Sequence, residues 1–283
     1  MKKQWVMGLA AFAMTGLALA AGPGAARKRA EASMLVTGDI TVAPDGSVSG
    51  YTLDRQDKIP TEVVGLIARA TPRWHFEPVT LDGHPVAARA HMSIRLLAQR
   101  ESPDSPNYVM HIAGANFGED GAGGETMTYA TRAKPEYPPN AVAARVQGTV
   151  YLAVRVGRDG TVSDVAVEQV NLGVVGTDSQ MKVWRNVLAN SSMRVAKSWT
   201  FTLPTKGAHV NDPAYIARVP ITYQLDHGFA HDDRYGQWDV YVPGPKEEIS
   251  WMKDAGGSAD ALPDDGLYLV NTGLKLTTPL DNG

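Results

Sequence analysis

The fold is decided by residues 134–162, which read KPEYPPNAVAARVQGTVYLAVRVGRDGTV. The segment begins with a Tyr-Pro knuckle, Pro135-Glu136-Tyr137-Pro138, and continues through a short amphipathic run. Apolar residues then alternate along residues 150–156, which predicts a strand with one buried face. Asp159-Gly160 is typical of a tight turn into a second strand. The stretch therefore predicts a β-hairpin preceded by a rigid, proline-rich entrance.

The residues after this hairpin predict a helix and a closing strand. Apolar residues recur at helical spacing along residues 181–195. The motif Trp199-Thr200-Phe201 comes after the helix, and apolar residues then alternate along residues 219–225. Residues 127–226 are therefore predicted to form one unit with the order strand, strand, helix, strand.

Residues 33–99 repeat this order in a reduced form that lacks the knuckle. They contain an Asp45-Gly46 turn, a helix that begins near Pro60, the motif Trp74-His75-Phe76 and a last alternating strand over residues 88–96. Shared motifs in the same order are typical of an internal duplication. The sequence therefore predicts an α+β fold of two tandem β-β-α-β modules.

The remaining segments predict less regular structure. Residues 100–126 carry a Ser-Pro-Asp-Ser-Pro run and a Gly/Ala-rich stretch, which predict a linker, with a short strand as an alternative over residues 108–112. Residues 227–283 form a C-terminal extension. Alternation along residues 238–242 and 267–276 predicts one or two further strands in it.

Composition and charge exclude several classes of function. The chain has 283 residues, of which 43% are hydrophobic and 20% charged, as in ordinary globular proteins. The net charge of -3 gives no electrostatic footprint for nucleic acid or for an anionic membrane surface. There are no cysteines, so disulfides, thiol nucleophiles and thiolate metal sites are excluded.

The N-terminus predicts export. Lys2 and Lys3 precede an apolar run, and Ala18-Leu19-Ala20 matches a cleavage site, so residues 1–21 are predicted to be a signal peptide. The expected location is the periplasm. The alternative is an uncleaved anchor in the inner membrane, because the apolar run is nearly long enough to cross a bilayer.

With these motifs in view, the second unit resembles the C-terminal domain of TonB, the energy transducer of Gram-negative outer-membrane transport. The resemblance covers residues 127–226. It is carried by elements in a fixed order: Pro135-x-Tyr137-Pro138-x-x-Ala141, Gly148-x-Val150, Asp159-Gly160-x-Val162, Trp199-x-Phe201 and the terminal strand.

The resemblance implies a periplasmic module that binds the TonB box of outer-membrane receptors by adding this peptide as a strand to its sheet edge. Pro220 fits an edge strand, although proline cannot donate a hydrogen bond to an incoming strand. Three knuckle residues are predicted to position the partner: Pro135, Tyr137 and Pro138. Five residues of the closing strand are predicted to contribute to the pairing edge: Arg218, Val219, Ile221, Tyr223 and Leu225.

Three features depart from the family. Its transducers carry a histidine in the anchor that couples to the inner-membrane motor, whereas no histidine precedes His75 here. A folded repeat replaces the long proline-rich spacer, and Lys134 stands where the family often has glutamine. These differences argue against contact with inner-membrane motor proteins and leave peptide binding as the expected activity.

Other interpretations of the same residues stay open. The protein can instead be a structural or assembly component that forms a homodimer through the same edge. The knuckle can be a rigid turn with Tyr137 packed on the core, and Trp74 and Trp199 are predicted to be core anchors. A metal enzyme based on His227 and His231 is the most distant hypothesis, since no third ligand is indicated. No cofactor or small-molecule substrate is expected.

Overall fold

The computed structural model describes residues 30–102, 107–119, 124–225, 234–253 and 255–280. Within them the protein is a mixed α+β fold of antiparallel sheets with few helices, which confirms the α+β part of the predicted fold class. The predicted signal, residues 1–21, lies outside the described residues, as do His227 and His231. No helix in the described part of the chain is long and apolar enough to cross a bilayer.

The two units are followed by an extension with two short strands. The first unit comprises β1 (Glu31–Val42), β2 (Val48–Leu53), α1 (Thr61–Ala70), β3 (Thr80–Leu81), β4 (His84–Pro85), β5 (Ala88–Arg100) and β6 (Tyr108–Glu119). The second comprises β7 (Thr128–Thr131), α2 (Pro139–Ala143), β8 (Gly148–Val156), β9 (Val162–Leu172), α3 (Asp178–Ala196), β10 (Thr200–Thr202) and β11 (Tyr215–Tyr223). The extension carries β12 (Asp239–Tyr241) and β13 (Tyr268–Leu269).

In the first unit, β1 is the central strand of an antiparallel sheet. One of its edges pairs with β5, and the other pairs with β12 at one end and with β2 at the other. The helix α1 begins after Pro60, which is preset for a helix start, and it buries Val63, Leu66 and Ile67. These side chains pack with the sheet and with Trp74 in one core.

In the second unit, β8 is central and the strand order is β13-β11-β8-β9. The helix α3 begins with a capping box, in which Thr177 and Gln180 bond reciprocally. Val150, Leu152 and Val154 of β8 are fully buried in a core that also contains Trp199. Both tryptophans are thus core residues, as the sequence predicts.

The segment predicted to be a linker differs from that expectation. Residues 108–119 form β6, which pairs with β5 from Ala90 to Arg100. Its small residues allow close packing, because a Cβ added at Gly114 would lie 2.7 Å from Ser258. Glycine-rich composition here therefore marks a strand that another segment covers at close range, and not a flexible connection.

The C-terminal extension contacts both units. Its residue Val242 forms a bridge with Leu172 of β9, and Leu276 forms one with Phe76 of the first unit. Asp260 lies between the two sheets and is 8% exposed. Its carbonyl accepts a hydrogen bond from Arg95 Nε at 2.7 Å, and its carboxylate accepts one from Tyr241 Oη at 2.6 Å. The extension is therefore an integral part of the fold.

Candidate functional site

The Tyr-Pro knuckle is held by α3 and by the end of β11. The Tyr137 hydroxyl donates to the Val146 carbonyl, and its ring meets the Tyr223 ring edge-on, with the centroids 5.3 Å apart. Ser191 Oγ on α3 donates to the Glu136 carbonyl at 2.7 Å. Burial raises the pKa of Tyr137, so the hydroxyl stays protonated and remains a donor. The knuckle therefore brings two of the predicted site residues, Tyr137 and Tyr223, into contact.

The segment before the knuckle is fixed by aromatic contacts. Trp199 Nε1 donates to the Ala133 carbonyl at 2.8 Å, and the Tyr129 ring packs edge-on against Trp199. The Arg132 guanidinium lies 4.7 Å from the centroid of the Tyr129 ring, within the range of a cation–π contact. Burial raises the pKa of Tyr129 to about 12. These contacts thus hold residues 129–138, the segment that leads into the sheet, in one conformation.

The predicted contact side chains of β11 are buried, whereas a contact surface needs exposed side chains. Val219 is fully buried, and Ile221 and Tyr223 are each 4% exposed, because their face of the strand packs into the core with α3. Leu225 lies beyond the end of β11 and is half-buried. A partner at this strand would therefore contact backbone groups and not these side chains.

Arg218 lies on the opposite face of β11 and is 5% exposed. Its guanidinium forms a bidentate ion pair with Glu168 of β9, with Nε–Oε2 at 2.7 Å and Nη2–Oε1 at 2.9 Å. Nη1 donates to the Gly256 carbonyl of the extension at 2.5 Å. Arg218 therefore connects the sheet with the extension, and its charge is already matched.

The outer edge of β11 is partly covered by β13. Ala217 pairs with Leu269 and Arg218 pairs with Tyr268, and Val270 N donates to the Ile216 carbonyl at 2.8 Å. In an antiparallel strand the N–H and C=O of one residue point to the same side, so alternate residues face each edge.

Every second residue of β11 consequently directs its backbone groups away from β8, toward the outer edge of the sheet: Ile216, Arg218, Pro220 and Thr222. Proline has no N–H, so beyond β13 this edge has a backbone donor only at Thr222.

We name the segment over this edge, residues 265–272, the strap. It begins at a left-handed residue, Asp265 at φ 60°, and another, Asn271 at φ 64°, lies one residue before its end. Tyr268 Oη donates to the Pro263 carbonyl at 3.1 Å, and burial raises the pKa of Tyr268. Arg132 Nη1 donates to the Asp265 carbonyl at 2.9 Å. The strap is therefore attached to the segment that leads into the knuckle.

A cavity of about 1260 Å³ lies between β6 and the strap. The side chains of its two cationic lining residues and of its one histidine each have a partner: Arg218 with Glu168, Lys275 with Glu77 at 2.8 Å, and His91 with Asp39 at 3.1 Å. Among the described residues no group of three His, Cys, Asp or Glu side chains is placed to hold a metal ion.

A small antiparallel sheet that carries one long helix and has a partly open last strand defines a class of module suited to strand addition. Residues 133–171 match the family model described as Gram-negative bacterial TonB protein C-terminal. The motifs predict this similarity to the TonB C-terminal domain, and the family model confirms it over residues 133–171. Neither the curated proteins nor the solved structures contain a significant match.

The matched segment contains the knuckle, α2, β8 and nearly all of β9. It ends before α3 and β11, although the resemblance seen in the sequence extends to residue 226. The properties of the β11 edge are therefore argued from the structure alone. The alternation along residues 267–276 predicts a strand there, and β13 confirms it, but the pattern does not reveal that this strand pairs with β11.

Proposed function

We propose that this protein is a periplasm-facing TonB-family component that binds an extended segment of outer-membrane receptors at the β11 edge. The family match supports a role in energy transduction at the Gram-negative envelope. The observation that supports the receptor interaction is the outer edge of β11, which among the described residues is paired from Ile216 to Arg218 alone. Export to the periplasm belongs to the proposal and rests on the predicted signal.

The chemistry of the edge favours recognition through the main chain. Apart from Ile216 and Thr222, which are half-buried, the β11 side chains are buried, so the groups that face a partner are mainly the outward backbone groups. Main-chain pairing supplies affinity for any extended peptide, and contacts with neighbouring side chains determine the specificity among peptides. The contact between Tyr137 and Tyr223 fixes the end of β11 and so keeps this edge in position.

The test is an NMR titration of the protein with synthetic peptides that carry the TonB box of outer-membrane receptors. We expect chemical-shift changes at residues 215–223, with the Thr222 amide among them. Thr222→Pro removes the outward donor without touching the β8 side of the strand, and we expect it to weaken binding about tenfold, as the loss of a backbone hydrogen bond does. Thr222→Ala retains the donor and is the matched control.

Two results would contradict the proposal. One is a titration in which residues 215–223 do not respond to any of the peptides. The other is equal loss of binding in Thr222→Pro and Thr222→Ala, because this would assign the effect to the side chain, whose hydroxyl lies 3.1 Å from that of Thr149.

A further inference from the structure

We propose that the strap is an internal pseudo-ligand: it occupies the β11 edge, and it has to be released before an extended partner segment can add there. The natural partner in this inference is the one of the proposed function, and the inference rests on that function for the partner's identity. The gating itself is a property of this chain and is tested separately.

The strap uses the backbone groups that an incoming strand would use. Val270 N donates to the Ile216 carbonyl, so these two residues form a hydrogen-bonded pair, and Ala217 and Leu269 form the adjacent non-hydrogen-bonded pair. Ile216 and Arg218 cannot pair with the strap and with a partner at the same time. Occupancy by the strap and by a partner strand is therefore mutually exclusive over these residues.

Release of the strap breaks a short ladder, together with the hydrogen bond from Arg132 to the Asp265 carbonyl. The regular pairing of the strap with β11 spans two residues, whereas β8 pairs with β11 over nine. Leu267 and Leu269 are only half-buried at the rim of the second core. Segments with few buried contacts and short ladders open at lower free energy than core strands. The strap can thus leave while the sheet stays intact.

Anchors on both sides keep the strap close to the edge. Upstream, Asp260 is buried between the sheets. Downstream, Leu274 N donates to the Phe117 carbonyl at 3.0 Å, and Leu276 packs in the first core. A tethered segment competes at a high effective concentration, so a free peptide has to exceed its affinity by a wide margin.

The strap also indicates the kind of partner that fits. It runs antiparallel to β11 and places an aliphatic side chain, Leu269, beside Ala217 at the rim of the helix-side core. A competing segment should therefore be extended and antiparallel, with an aliphatic residue opposite Ala217. It should also carry a backbone donor opposite Ile216.

The first experiment locks the strap. The chain has no cysteines, so the double variant Ala217→Cys/Leu269→Cys introduces the sole pair of thiols. Non-hydrogen-bonded antiparallel pairs have Cα atoms about 4.5 Å apart, within the range that a disulfide spans. The probe is a labelled peptide copy of residues 265–272, DGLYLVNT. We expect it to bind the oxidised protein at least tenfold more weakly than the reduced protein.

A second pair of variants opens the strap without a disulfide. Val270→Pro removes the N–H that bonds the Ile216 carbonyl, whereas Val270→Ala keeps it and shortens the side chain. We expect Val270→Pro to bind the peptide at least fivefold more tightly than Val270→Ala. Thermal unfolding and amide exchange in β8 establish that each variant is folded.

The outcomes separate the inference from the proposed function. Equal peptide binding by the oxidised and reduced proteins, or by the two Val270 variants, overturns the gating. Failure of the strap peptide to bind any variant also overturns it. If the strap peptide binds only unlocked protein while TonB-box peptides bind no form, the gating stands and the proposed receptor function fails. If TonB-box peptides bind the locked protein, the receptor function stands and the gating fails.

Discussion

The two units share a hairpin but differ at the edge of their last strand. In each unit, a glycine carbonyl in the Asp-Gly turn accepts a hydrogen bond at 2.8 Å from the phenylalanine of the Trp-x-Phe motif: Phe76 N bonds Gly46, and Phe201 N bonds Gly160. In the first unit β6 then covers β5, the strand that corresponds to β11, from Ala90 to Arg100, whereas in the second unit β13 covers two residues of β11. The segment after the last strand therefore determines whether this scaffold retains an edge for a partner.

The largest expected effect comes from breaking the shared turn. Gly46 and Gly160 have positive φ, and a Cβ at either position would lie 2.2 or 2.3 Å from the carbonyl oxygen of Phe76 or Phe201. We expect Gly46→Ala and Gly160→Ala each to lower the free energy of unfolding by about 3 kcal/mol or more, because a left-handed alanine and a backbone clash combine. Chemical denaturation measures the loss.

Gly83→Ala is the matched control for this prediction. Gly83 also has positive φ, but no atom of the described residues lies within 4 Å of the position that a Cβ would take there. Its substitution should cost about 1 kcal/mol, the conformational term alone. A loss at Gly46 or Gly160 no larger than at Gly83 would contradict the proposed equivalence of the two turns.

A second effect concerns alkaline pH and the second unit. Burial raises the pKa of Tyr129 and of Tyr151 to about 12 in the folded protein, against 10 for an ordinary tyrosine. The folded state therefore holds these protons more tightly than the unfolded state. Their contribution to stability is complete below pH 10 and is lost as the pH rises from 10 through 12, by roughly 2–3 kcal/mol for each tyrosine.

Denaturation curves between about pH 8 and pH 12 span this fall, and Tyr129→Phe tests its origin. The Tyr129 hydroxyl is buried without a hydrogen-bond partner among the described residues, so its removal should not destabilise the protein at neutral pH. The variant should lose less stability than the parent at alkaline pH. An unchanged alkaline profile would show that Tyr129 does not contribute to the fall.

The smallest effect distinguishes the two tryptophans. Trp74 and Trp199 are both buried, and each packs edge-on against one aromatic ring. Trp199 Nε1 donates to the Ala133 carbonyl, whereas Trp74 Nε1 has no partner in the described part of the chain. Trp199→Phe should therefore cost about 1 kcal/mol more than Trp74→Phe, the net value of one hydrogen bond.

Urea denaturation of the two tryptophan variants measures this difference. Both substitutions lose packing, and Trp199 also lies 5.9 Å from the Arg132 guanidinium, so the difference between the two losses is an upper bound for the hydrogen bond. Equal losses of unfolding free energy in the two variants would indicate that the hydrogen bond to Ala133 does not stabilise the segment that precedes the knuckle.

The sequence predicts those parts of the fold that local pattern controls. The spacing of apolar residues and the residue types at turns are enough to predict three features: the Asp-Gly turns, the helix after Pro60 and the alternating strands. The full length of β6 is not predictable in this way, because its pairing with β5 and its contact with Ser258 depend on distant residues. Local composition does not carry such information.

The candidate site is predictable only in part. The sequence singles out Tyr137 and Tyr223, and the structure places their rings in contact. It also proposes Val219 and Ile221 as edge residues, yet their alternating apolar character is itself the signal of a face turned to the core. The ion pair of Arg218 with Glu168 joins residues 50 positions apart, and no local pattern reveals it.

The long-range contacts of the extension set the order in which the chain can fold. Tyr235 Oη lies against the Thr37 backbone across 198 residues, and Thr277 Oγ1 donates to the His75 carbonyl across 202. Contacts of such separation form slowly, because a long loop has to close before they stabilise it. The first unit is therefore expected to complete its core only after residues 235–277 have been synthesised.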